Sequence, residues 1–198
     1  MSTLTTTRGE ASRSRILDMA RDVLASEGLD RFALRDIAKR ADMRLGNLQY
    51  YFPTRDDLLE AVIQSEFERN LQAMRDLDEQ TTNVDDYMQQ LCGLLIKEYT
   101  SVGGNIWPVL NLLHLHNKRF RSLSADIYQQ HVDIIIAAMK KYGVTDRPKQ
   151  LLETARLVTA MIDGASLQAH AVSHSNARDS WKSLCRRTGE IAIAIARA

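Results

Sequence analysis

Between Leu34 and Arg55 the chain concentrates side chains able to grip and read a polyanion. Arg44 carries a guanidinium that can fork onto guanine O6 and N7, and Asn47 can pair with an adenine edge or reach a phosphate. Gly46, between them, has no side chain and lets the backbone approach a partner closely. Gln49, Tyr50 and Tyr51 follow with further hydrogen-bonding groups. Upstream, Arg35 and Lys39 are four residues apart, so on a helix they share a face and can touch phosphates together. Downstream, Thr54, Arg55 and the free amides of a following helix offer another phosphate site.

The histidines are the other candidates for chemistry. His170 and His174 stand at i, i+4, a spacing that permits chelation, but no carboxylate or cysteine pattern accompanies them. An all-α enzyme using this pair, or His114 and His116, is the alternative function. GxSxG, HExxH, GxGxxG and P-loop patterns are all missing, so no catalytic residue, metal or cofactor is expected. Cys92 and Cys185 are too few and too far apart for a disulfide framework and read as reduced, buried thiols.

These side chains need elements to hold them, and apolar residues at helical spacing recur almost everywhere, which makes the chain all-α. A first helix carries Ile16, Leu17, Ala20, Val23 and Leu24 on one stripe and stops at Gly28. A short second helix, 34–41, is followed by the break Asp42-Met43-Arg44. A third, 45–51, is closed by Pro53. On a 100° wheel Leu45, Leu48 and Phe52 point inward while Gly46, Asn47, Tyr50 and Tyr51 point outward; Gln49 falls near the core edge. Thr54 can cap the N–H of Asp57, opening a fourth helix with the stripe Leu58, Leu59, Val62, Ile63, Phe67, Leu71 and Met74, expected to end near Leu77. Later helices are expected at 85–100, 106–116, 122–142, 149–172 and 178–197, with a short break over Asn117 to Arg121; the Ile191 to Ala196 alternation reads as the end of the last helix rather than a strand. Two short helices joined by a three-residue break match the helix-turn-helix, whose second helix enters the major groove while the first braces the backbone.

The 198 residues show 44% hydrophobic content and a net charge of +1, which fits one or two compact domains and excludes a disordered or collagenous chain. The near-neutral total hides an asymmetry. Residues 1–55 hold ten Lys and Arg against seven Asp and Glu, whereas 56–198 hold sixteen against eighteen. The basic end is the end expected to meet double-stranded DNA. The longest apolar runs fall far short of the roughly 20 residues that span a bilayer, so no membrane partner is expected. The N-terminus lacks an apolar secretory segment, which points to a cytoplasmic location.

From Arg8 to Val62 the sequence resembles the N-terminal domain of the tetracycline-repressor (TetR) family. Ile16-Leu17, Ala20, Gly28, Ile37-Ala38, Ala41, Gly46, Leu48, Phe52 and Leu58-Leu59 fall in register on the family pattern. The departures are Asp42 for the usual Gly, Arg44 for the capping Ser, Gln49 for Tyr, Tyr51 for His, and Thr54-Arg55 for Ser-Lys. The resemblance implies Gln49 as a DNA contact. It implies an N-terminal three-helix helix-turn-helix domain, residues 1–55, and a helical ligand-binding and dimerisation bundle, residues 56–198. The function it implies is a homodimeric regulator, a repressor released from a palindromic operator by a small organic effector. A dimeric DNA binder indifferent to ligand is the nearer alternative.

Within the second domain, bulky residues interleaved with a few polar ones suggest an effector cavity. Trp107, Leu110, Asn111 and His114 would form one wall, with Phe67, Leu71, Leu95, Tyr99, Tyr128, His131 and Met161 opposite. No concentrated charge accompanies them, which favours a neutral or weakly polar effector. Helix 149–172 is apolar on two sides, with Ala155, Val158, Ile162, Ala165 and Ala169 on one stripe and Leu157, Met161, Gly164 and Gln168 on another. The stretch 161–169 resembles the family's dimer-forming helix. The first stripe, Gly164, and Trp181, Leu184, Thr188 and Ile191 of the last helix are expected to build a four-helix dimer interface.

Overall fold

The computed structural model describes residues 3–100, 106–145, 147–172 and 178–198, and the side chains within 9–99, 106–145, 147–168 and 182–198. Among these residues there are nine α-helices and no strand: α1 Thr3–Glu27, α2 Leu34–Arg40, α3 Leu45–Tyr51, α4 Arg55–Gln80, α5 Val84–Thr100, α6 Ile106–His116, α7 Lys118–Lys141, α8 Pro148–Val172 and α9 Arg178–Arg197. A 3₁₀ turn, Leu29–Arg31, joins α1 to α2.

The first three helices are held by their inward stripes. Ile16, Ala20, Val23 and Leu24 of α1, Ile37 and Ala38 of α2, Leu48 of α3, and Phe32 and Phe52 beside them are all buried. Gly28 ends α1 at φ 77°, a left-handed conformation that glycine adopts without steric cost. Asp42 takes the same region, φ 52°, at the turn between α2 and α3 where the related pattern carries Gly. A short polar side chain tolerates that conformation better than most, though not freely.

Helix α4 starts on a capping box. The Thr54 hydroxyl accepts from the Asp57 N–H at 3.1 Å, as its position predicts, and the Asp57 carboxylate accepts from the Thr54 N–H at 2.9 Å. The helix runs three residues beyond the expected end at Leu77, to Gln80, where the Thr81 hydroxyl donates to the Leu77 carbonyl at 2.9 Å. Arg21 of α1 still reaches Glu66 of α4 at 2.8 Å, so the first unit grips this helix well past residue 55.

The expected break over Asn117 to Arg121 shrinks to Asn117 alone. Its side chain accepts from the Arg119 N–H at 2.9 Å, and this cap lets α7 begin at once. Ile191 to Ala196 lie within α9, as expected. Helices α5, α7, α8 and α9 pack together, and their buried faces join those of α1 to α4 in one continuous core. No helix among the described residues is long and apolar enough to cross a membrane.

Candidate functional site

The polar face of α3 stands clear of the core. Leu48 is fully buried beneath it and Leu45 packs partly against the core, while Arg44, Gly46, Asn47, Gln49 and Tyr50 are exposed, Tyr50 to 82%. Gln49 thus lies outward, not at the core edge where the wheel set it. Tyr51 is half-buried, edge-on to Tyr50 at 5.2 Å, with its hydroxyl directed toward Gly9 of α1. A Cβ added at Gly46 would meet nothing within 4 Å, so packing inside the chain does not require glycine there. Arg35 and Lys39 are exposed on α2. Together these groups form a polar and basic surface free of large apolar side chains other than the Tyr50 ring.

Thr54 and Arg55 are engaged differently from the sequence expectation. The Arg55 Nε donates to the Phe32 carbonyl at 2.7 Å and its Nη2 to the Leu29 carbonyl at 2.8 Å. Its guanidinium also lies 5.9 Å from the centre of the Phe32 ring. The start of α4 is thereby tied to the turn preceding α2. At the α4 N-terminus the Asp57 carboxylate accepts the Thr54 N–H and hydroxyl, so these two donors, expected to serve a phosphate, are engaged within the chain. Hydrogen bonds from Thr54, then Arg119, hold that carboxyl below the usual range. Arg119 of α7 ion-pairs with Asp57 at 2.8 Å and also with Glu60, clamping the second unit onto the beginning of α4.

Further along α4, Phe67 meets Trp107 of α6 edge-on at 5.2 Å. Trp107 stacks on Tyr99 at 5.1 Å and meets Tyr128 edge-on at 5.3 Å. Beside them is a small cavity of about 10 Å³, the space of one water molecule, lined by Leu95, Tyr99, Trp107, Tyr128, His131, Ile135, Thr159, Ile162 and Asp163. Five expected residues, Leu95, Tyr99, Trp107, Tyr128 and His131, therefore line it. Phe67 backs the wall. Leu71 and Leu110 are buried in the core without lining it, and Asn111, His114 and Met161 lie elsewhere on their helices.

Asp163 escaped the sequence analysis, because one acidic residue in a helix signals nothing about burial. Its carboxylate accepts from the Tyr128 hydroxyl at 2.7 Å, and burial pushes its pKa up to about 7 against the opposing pull of that bond. His131 is fixed as the Nδ1–H tautomer. That N–H donates to the Ile127 carbonyl at 2.9 Å, leaving Nε2 to accept from the Tyr99 hydroxyl at 3.3 Å. Burial holds the His131 pKa below the usual value. The Trp107 indole N–H is buried with no partner among the described residues. Outside the cavity an open groove of about 490 Å³ runs between α7 and α8 and shares Tyr128, Thr159 and Asp163 with it.

The stripe assigned to a subunit interface needs correction. Ala155, Val158, Ile162, Ala165 and Thr188 are buried by their own chain, since α8 and α9 pack this face on α5 and α7. A side chain already covered in one copy cannot be covered again by a second. Gly164, Leu184 and Ile191 remain at the surface or its margin, Ile191 being 50% exposed. The second stripe of α8 is the outer one, with Leu157 at 52% and Leu167 at 59% exposure. The side chains of Ala169, His170 and Trp181, and all of His174, lie outside the described residues. No group of three or more potential metal ligands occurs among the described residues.

Residues 16–62 match the family model described as bacterial regulatory proteins, tetR family. An HTH-type transcriptional regulator from the dhlA 5′ region of Xanthobacter autotrophicus is 28% identical over 173 residues, 83% of each chain. The HTH-type transcriptional repressor KstR of Mycolicibacterium smegmatis is 39% identical over 57 residues, 29% of this chain and 28% of that one. In three dimensions, a transcriptional regulator from Saccharomonospora viridis solved with choline superposes at a TM-score of 0.76 with 18% identity, covering 92% of this chain and 95% of that chain.

Proposed function

We propose that this chain is a TetR-type DNA-binding transcriptional regulator, a homodimeric repressor released from a palindromic operator by a small organic effector; the match of residues 16–62 to the tetR family model and the 28% identity to the X. autotrophicus regulator support this reading. The observation that carries this is α4 itself. One unbroken helix is tied through Arg55 to the turn before α2, and through Phe67 to the aromatic wall of the cavity. A ligand that enlarges the cavity displaces its aromatic wall, Tyr99, Trp107 or Tyr128, whose rings pack through Trp107 against Phe67 of α4. Such a movement tilts the rod that positions α3.

The operator is read by the exposed face of α3. Arg44, Asn47 and Gln49 meet base edges, Gly46 allows close approach, and Leu45, Tyr50 and Tyr51 flank the contact. Arg35 and Lys39 grip phosphates from α2. Thr54 and Arg55 set the angle of α4 rather than touching DNA. In the dimer the outer stripes of α8 and α9, with Leu157, Met161, Gly164, Leu167, Leu184 and Ile191, pair across a two-fold axis. That pairing presents the two α3 helices about 34 to 36 Å apart, one turn of B-DNA. The KstR relationship, confined to the N-terminal region, favours repression. The choline complex of the S. viridis regulator supports a helical domain of this shape as a small-molecule receptor.

Sedimentation velocity at micromolar concentration, followed by a gel shift on the DNA upstream of the gene, tests the proposal. A dimer that retards this fragment, and not random DNA, is expected. A monomer, or equal retardation of both fragments, overturns the half-site mechanism.

A further inference from the structure

The small cavity has a polar complement that core packing does not require. Of its lining residues Asp163 is the one acid, and no lysine or arginine accompanies it. Among the described residues its carboxylate pairs with the Tyr128 hydroxyl and with no cation. His131, the remaining titratable base on the wall, is kept neutral by burial and by its bonds to Ile127 and Tyr99. The Trp107 side chain is 97% buried, yet its N–H donates to nothing described. Four aromatic rings meet here: Trp107 with Tyr99, Tyr128 and Phe67 around it. Aromatic faces carry negative quadrupole charge. Ring faces and carboxylate both favour a positive guest.

We propose that the effector is a small organic cation, a quaternary or protonated amine whose head sits against Asp163 and the rings of Tyr128 and Trp107, with a hydroxyl or carbonyl accepting the indole N–H. This rests on the effector reading above and adds the chemical class. A space of about 10 Å³ is too small for such a head, but the adjoining groove of about 490 Å³ is ample. Tyr128, Thr159 and Asp163 form the partition between them, and Thr159 is fixed by donating to the Ala155 carbonyl at 2.9 Å. The Tyr128 hydroxyl is therefore the group that yields: the ring turns so that the cation takes the hydroxyl's place beside the carboxylate and keeps the ring face against it. The cation on the groove wall, Arg156, is exposed two turns before Asp163 on the same helix, where solvent screens it.

Binding then moves a proton. With Tyr99 and Tyr128 held neutral by burial and His131 uncharged, Asp163 is the group that titrates near neutrality. At pH 7 roughly half of the carboxyl is protonated, and a bound cation holds it ionised, releasing about half a proton per site.

Isothermal titration of the full-length protein with (3-hydroxypropyl)trimethylammonium and with its uncharged isostere, 4,4-dimethylpentan-1-ol, tests this. The cation is expected to bind at least ten-fold more tightly than the isostere. Titrations in buffers of different ionisation enthalpy should show proton release at pH 7 that vanishes above pH 9. Asp163→Asn should weaken the cation at least ten-fold, abolish proton release and leave the isostere unchanged; an unchanged helical circular-dichroism spectrum and a single cooperative unfolding transition certify its fold. Tyr128→Phe, which removes only the hydroxyl, should bind the cation at least as well as the natural chain. Absence of cation binding, equal binding of the isostere, or indifference to Asp163→Asn overturns the cation site. Should the isostere release operator as well as the cation does, the charge class falls and the effector reading stands. Asp163-dependent binding that leaves the operator complex intact establishes the cation site and removes the effector reading instead.

Discussion

Replacing Gly46 by alanine should move stability and DNA affinity in opposite directions. Gly46 is the second residue of α3, its φ is not among the positive ones, and a Cβ there meets nothing within 4 Å. The folded chain thus accepts a methyl without strain, and the unfolded chain loses conformational freedom. Such a change stabilises a helix by about 0.5 to 1 kcal/mol. For a chain of this size that is a rise of about 1 to 4 °C in melting temperature. The same methyl projects from the face offered to DNA. If α3 lies in the groove with its backbone close to the bases, the added carbon forces a repacking that costs about 1 to 3 kcal/mol, a loss of roughly 5- to 150-fold in affinity. Scanning calorimetry and fluorescence anisotropy on a labelled upstream duplex at fixed salt measure the two effects. Gly93→Ala is the control: Gly93 lies inside α5, its Cβ position is equally open, and it is far along the chain from the reading helix. Gly93→Ala should gain stability and keep its affinity. A Gly46→Ala protein that binds as tightly as the Gly93→Ala protein would refute close backbone approach at α3.

Three further outcomes are expected. Asp42→Gly should raise stability by about 0.5 to 1 kcal/mol in urea unfolding, because Asp42 holds φ 52° at a steric cost that glycine avoids; no gain would mean that the aspartate relieves its own strain. Arg55→Ala should lower the melting temperature by removing two backbone anchors worth about 1 kcal/mol together after solvent screening, with the salt dependence of DNA binding unchanged; a slope reduced by about one with an unchanged melting temperature would make Arg55 a phosphate contact. Asp163 has a folded pKa raised to about 7, so its contribution to stability is full below the unfolded value near 4 and is lost as pH rises through 7. His131, depressed by burial, works the other way and loses stability as pH falls below its ordinary value. The difference in melting temperature between Asp163→Asn and the natural chain isolates the acid and should grow from pH 5 to pH 8; a difference independent of pH would remove the buried-carboxyl assignment.

The sequence alone determined the helices and most of their ends, because caps, stops and apolar spacing act within a few residues. Leu45 to Tyr51 is α3 in both accounts, and Thr54 caps Asp57 where its position predicted. One cap was overlooked, and Asn117 reduced an expected break to a single residue. Tertiary structure decided which apolar face meets which neighbour. Helix α8 is apolar on two sides, and periodicity cannot say which side the chain covers for itself; packing on α5, α7 and α9 assigns Ala155, Val158 and Ile162 inward and leaves Leu157 outside. Local reading also saw Arg55 as a free cation, whereas its donors close on carbonyls more than twenty residues earlier. Asp163 was the deepest omission. In sequence it is one acid between Met161-Ile162 and Gly164-Ala165, with nothing local to say which way it faces, and only the approach of α5, α6 and α7 draws its carboxyl away from water and rings it with aromatic side chains. Backbone propensity is a local property and was legible; desolvation belongs to the assembled helices and was not.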